Sequence, residues 1–166
     1  MQAVSILTIN SWAPYTVLDG GDFSYRFKTD NNILYDISFM EDMEIAGCKS
    51  YQFSIRRLTD DYSGHDPKVK DTIMAILQAF FDENNDVLIY ICDDTDGRES
   101  VRNRLFIRWF KEYDTNERFE IKYADAIVEG KGFYTAIILR KDHPHFLDIV
   151  NEFDIVAANL TNNPDK

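Results

Sequence analysis

The hydrophobic pattern of this chain changes period at Asp66-Pro67, and the change constrains the fold more than any other feature. Before it, apolar residues recur every second position. "FSYRFKT" alternates Phe23, Tyr25 and Phe27 with Ser24, Arg26 and Lys28, and "ILYDISF" alternates Ile33, Tyr35, Ile37 and Phe39 with more polar partners. "SYQFSIRRL" continues with Tyr51, Phe53 and Ile55, and "PYTVL" at 14–18 starts the series. Period two is the mark of strands that bury one face. Asp19-Gly20-Gly21-Asp22 and Asp30-Asn31-Asn32 supply the turn residues between them, so the spacing predicts an antiparallel meander.

After Asp66-Pro67 the spacing becomes helical. An acceptor at N-cap followed by proline starts a helix with Val69, Ile73, Ile76, Leu77, Phe80 and Phe81 on one stripe. "VLIYIC" at 87–92 has no alternation, which predicts a central strand covered on both faces. A second helix runs to about Tyr113, with Val101, Leu105, Phe106, Trp109 and Phe110 as its apolar face. "FEIKYADAIVEG" and "GFYTAIILRK" read as strands joined near Gly130-Lys131-Gly132, and Pro144 opens a last helix with Phe146, Val150 and Phe153 aligned. The expected fold class is α+β: a mixed, largely antiparallel sheet of about seven strands with three main helices, in the order ββββαβαββα. A right-handed crossover is expected where a helix links the fourth strand to "VLIYIC". The chain reads as a single domain over 1–166, with a folded core at 14–160 and a frayed polar tail at 161–166.

Charge narrows the partners. Eighteen Lys and Arg stand against 29 Asp and Glu, and the net −11 repels phosphate backbones and anionic lipid at long range. Nucleic acid and membrane are therefore not expected partners. Cys48 and Cys92 form no C-x-x-C pair and no disulfide framework, which fits a reducing cytoplasm. The N-terminal "MQAVSILTINSWAP" lacks the pattern of a signal peptide. A homodimer through the edge of the meander is a further expectation, and Trp12 is a candidate exposed anchor.

One stretch departs from this acidic balance. "CDDTDGRESVRNRLFIRW" sets Asp93, Asp94 and Asp96 before Arg98, Arg102, Arg104 and Arg108, with Lys111 following. Asp96 and Glu99 form a capping box. The simplest reading is that this basic helix and the acidic block at 82–96 neutralise each other. A functional reading places a small anionic ligand at Asp93, Asp94, Arg98 and Arg102, where a helix start follows a buried strand. A protein partner would dock on Arg104, Arg108 and Lys111. Calcium is not expected, because Cys92 and Asn103 stand where such a loop needs an acid and a glutamate. His143 and His145 lack companion ligands, so neither metal nor cofactor is expected. Adjacent Ser63, His65 and Asp66 read as a turn and helix cap rather than a nucleophile with its base. No catalytic motif is complete, so a non-catalytic binding or regulatory domain is the leading expectation.

Two resemblances add to this. "DPKVKDTIMAILQAFF" together with "YICDDTDGRESVRNRLFIRWF" resembles a family of small uncharacterised proteins from Bacteroides-type bacteria, a domain of unknown function, over about residues 14–140. From Tyr51 onward the order strand, helix, strand, helix, strand, strand resembles the second half of the acyl-coenzyme-A-dependent N-acetyltransferase fold. That likeness implies an enzyme that receives its cofactor on the loop entering the helix after the fourth strand. Here the loop is "RRLTDDYSGHDPKVKD", which has one glycine, Gly64, and acids on both sides. The likeness implies backbone donors around Ser63-Gly64-His65 and Tyr113 or Tyr123 as the acid.

Overall fold

The computed structural model describes residues 1–59, 64–92, 99–128 and 131–162. Its elements are α1 (Ile6–Trp12), β1 (Val17–Gly21), β2 (Ser24–Lys28), β3 (Leu34–Glu41), β4 (Ser50–Arg57), α2 (Pro67–Glu83), β5 (Val87–Cys92), α3 (Glu99–Tyr113), β6 (Phe119–Val128), β7 (Lys131–Arg140) and α4 (Phe146–Asn162). The fold is α+β, a mixed and largely antiparallel sheet of seven strands in the order β1-β2-β3-β4-β5-β7-β6. No helix among the described residues is long and apolar enough to cross a membrane. The chain divides into two compact units, Met1–Met40 with Phe53–Asn85, and Glu41–Gln52 with Asp86–Lys166.

The first unit holds most of the meander, with α1 and α2. Tyr25, Phe27, Ile37, Phe39 and Phe53 are buried, as their alternation predicts. Phe23 is not: it sits with Asp22 in the turn, both at positive φ, and is 43% exposed. The strand β1 runs through Gly21, so the reversal falls two residues later than the glycines suggest. A stripe on α2 covers the aromatic face, with Phe39 stacked on Phe80 at 4.9 Å and tilted on Phe53 at 5.5 Å. Each such ring contributes roughly 1.5–3 kcal/mol by leaving water.

The N-terminal residues add a fourth helix to the three expected. Ser5 caps α1, and Asn84 ties the segment to the end of α2 through Gln2 N (2.6 Å) and Gln2 O (3.1 Å). Asn10 acts as a short strand partner for Val17, accepting from its N–H at 2.7 Å and donating to its carbonyl at 2.9 Å. This satisfies part of the meander's edge, which limits its pairing with another chain.

In the second unit β5 is covered on both faces. Val87 and Ile89 join Ile45, Ile137, Leu139, Ile149 and Phe153 under α4. Tyr90 faces α3, its ring 4.1 Å from that of Phe106. The strands β6 and β7 pair in unbroken antiparallel register from Phe119↔Arg140 to Val128↔Lys131, so Lys131 and Gly132 belong to a strand and not to the turn. Pro144 precedes α4 by two residues, and α4 continues to Asn162, past the expected start of the tail. A tight reversal at Ile45–Cys48 carries Ala46 and Gly47 at positive φ, and Ala46 N–H is anchored on Glu152 at 2.8 Å.

Candidate ligand groove

The buried stripe of α3 is Asn103, Phe106 and Phe110, at i, i+3 and i+7. Leu105 and Trp109 are half-buried beside it. Val101, expected on the apolar face, is 54% exposed. The flank next to this stripe carries Arg104, Ile107, Arg108, Lys111 and Glu112 and forms one wall of a groove of about 750 Å³. Beyond it lie Tyr123 and Asp125 of β6 and Tyr134 of β7, with Asp125 and Tyr134 directly opposite in the strand register.

Charge in the groove is unevenly balanced. Arg108 reaches its own neighbour Glu112 at 3.7 Å, an exposed i,i+4 contact of small energetic weight. The ammonium of Lys111 lies over the Tyr123 ring, 5.8 Å from its centroid. Arg104 is exposed and has no ion-pair partner among the described residues. Among the described residues, none of these three cations pairs with Asp82, Glu83 or Asp86 of the acidic block that precedes the helix. Asn103, which also lines the groove, is 6% exposed, and its Oδ1 accepts no hydrogen bond. Burying a polar oxygen unpaired costs about 1–3 kcal/mol.

Other candidates fall differently. Asp93, Asp94 and Arg98 lie outside the described residues, as do Asp96 and Ser63. Arg102 is half-buried and does not line the groove. His143 and His145 are 6.1 Å apart ring to ring, with His145 beside Asp148, and no metal-ligating group is found among the described residues. Trp12 is 50% exposed on α1. Burial and the carboxylates of Asp148, Glu44, Asp86 and Glu152 push the Cys48 thiol up, away from the reactive thiolate.

The start of α2, where the acetyltransferase likeness would seat a cofactor, is already occupied by carboxylates. Asp66 accepts from Lys68 N–H at 3.0 Å and from the Tyr15 hydroxyl at 2.6 Å, and Asp30 holds Lys68 Nζ at 2.8 Å. A side chain at Gly64 would meet nothing within 4 Å, so nothing approaches closely enough there to demand glycine.

Asn103 was visible in the sequence only as a missing calcium ligand. Its signal is a lone amide on an otherwise aromatic helical stripe. Tyr134 gave no signal, since its place on the groove follows from the register of β7 with β6.

Residues 65–155 match the model of a family of unknown function (DUF6169). The match starts at α2 and runs into α4, so it leaves out the meander included in the sequence resemblance. No curated protein and no solved structure matches the chain.

Proposed function

The chain belongs to that family of unknown function, and we propose that within it this protein is a non-catalytic, cytoplasmic binding domain that takes a small anion in the groove beside α3. One observation carries the reading. In a chain of net charge −11, Arg104, Arg108 and Lys111 gather on a single wall of a groove of ligand size. Guanidinium groups one helical turn apart suit a phosphate or carboxylate, which each can meet with paired N–H donors.

The enzymatic alternative draws on element order alone. It needs an anionic cofactor at the start of α2, beside Asp66 and Asp30, where both carboxylates oppose it. Self-association through the sheet's edges favours β6, which ends the strand order, over the short β1 with its Asn10 partner.

Thermal unfolding in the presence of phosphate, citrate and mononucleotides tests the proposal. A ligand at ~100 times its Kd adds about 2.7 kcal/mol, which raises the midpoint by several degrees. Arg104→Glu with Arg108→Glu is expected to abolish the rise. A rise that survives the double substitution, or no rise with any of these anions, overturns the reading.

A further inference from the structure

We propose that the groove selects a heteroaromatic monophosphate, a planar ring with N–H donors joined to one phosphate, of which a nucleoside monophosphate is the simplest example. The inference rests on the groove being an anion site and adds what the rest of the ligand must be.

The cationic wall suits one compact anion, since Arg104 and Arg108 are separated by about one 5.4 Å turn. The rest of the lining points to a different chemistry. Tyr123 is 55% exposed, and with Tyr134 it gives the sheet side of the groove two aromatic rings. Tyrosine rings take planar ring systems by stacking. Asp125 and the unpaired Asn103 Oδ1 are acceptors, and they call for a ligand that brings donors. Asp125 also opposes the added charge of a polyphosphate, as does the net charge of −11.

Asn103 is the most telling of these residues. An unpaired buried acceptor weakens the fold, and a leucine there would complete the apolar stripe with Phe106 and Phe110. A ring N–H or exocyclic amino group that parts the side chains over Oδ1 supplies the missing bond. A site built to bond such a donor discriminates strongly against ligands that lack it.

The test is a titration of the ¹⁵N-labelled full chain with adenosine 5′-monophosphate, ribose 5-phosphate, inorganic phosphate and adenosine, followed by amide shifts. The nucleotide is expected to bind at least about tenfold more tightly than the other three, because ribose 5-phosphate and inorganic phosphate lack the stacking and donor contacts and adenosine lacks the phosphate. Shifts should centre on Asn103, Tyr123 and Tyr134. Asn103→Leu is expected to weaken the nucleotide about tenfold, leave phosphate unchanged, and raise Tm by ~2–4 °C. Tyr123→Ala, at an exposed position, repeats the first two effects without a demand on the fold. Equal binding of nucleotide and inorganic phosphate overturns the ring selection while leaving the anion site standing. Equal binding of adenosine and nucleotide, or no shifts in the groove, overturns both.

Discussion

Two buried polar side chains, one in each compact unit, are treated oppositely by their surroundings. Asp36 on β3 has no exposed surface, yet Ser24, Arg26 Nε (2.8 Å) and Arg56 (2.8 Å) all donate to it. Burial pushes its carboxyl upward, but the hydroxyl and the two guanidinium groups together outweigh burial and bring the pKa down to about 2. Asn103 on α3 is nearly as buried, and its oxygen has no partner at all. Burial of a polar group therefore does not by itself mark a site. Asp36 joins three adjacent strands through a completed set of bonds, whereas the set around Asn103 is incomplete beside a groove.

The largest expected effect is at the completed set. Asp36→Ala leaves two guanidinium groups without their shared carboxylate, and a loss of about 3 kcal/mol is expected in urea unfolding, at the low end because both arginines can rehydrate. A loss below about 1 kcal/mol would break the contrast with Asn103. The acid limb sharpens it. With a folded pKa of about 2 against an ordinary value of 3.8, the carboxylate's contribution is fully present above that ordinary value and fades as pH falls toward 2. Its size is on the order of 2 kcal/mol, and Asp36→Asn should remove that pH dependence from acid unfolding curves.

The opposite sign is expected at Asn103. Replacing it with leucine removes an unpaired acceptor and improves helix propensity, for a gain of about 1–2 kcal/mol in the same unfolding assay. A loss there would mean the amide is structurally engaged, and the contrast would fail. The smallest effect belongs to the groove wall. Arg104→Glu with Arg108→Glu changes exposed residues and should shift stability by no more than about 0.5 kcal/mol while abolishing anion binding.

The same division separates what the residues announced from what they did not. Alternation at Tyr25, Phe27, Ile37 and Phe39 and the stripe from Val69 to Phe81 are local periodicities, and they yielded the strands, α2 and the α+β class. The unbroken run "VLIYIC" announced a strand covered on both sides. Short-range cues misled where a long-range partner decided the outcome. Phe23 fits the alternation but falls in the turn, and Val101 has the right residue type but faces outward. The segment before Pro14 carries no strong period, and its polar groups are satisfied by Asn84 and Tyr25, distant in sequence, and by Val17, seven residues on from Asn10.

The basic cluster of Arg104, Arg108 and Lys111 was legible as a helical stripe because residues i, i+4 and i+7 share a face whatever the surroundings. That it forms a groove was not, because Tyr123, Asp125 and Tyr134 reach it only through the pairing of β6 with β7. The sequence by itself determined the period of each element, the start of α2 and the place of the positive charge, all set by neighbours a few residues away. Tertiary structure alone decided that Asp36 is fully bonded and Asn103 is not. A hydrogen bond depends on which atoms meet within about 3 Å, and those atoms come from other strands and helices.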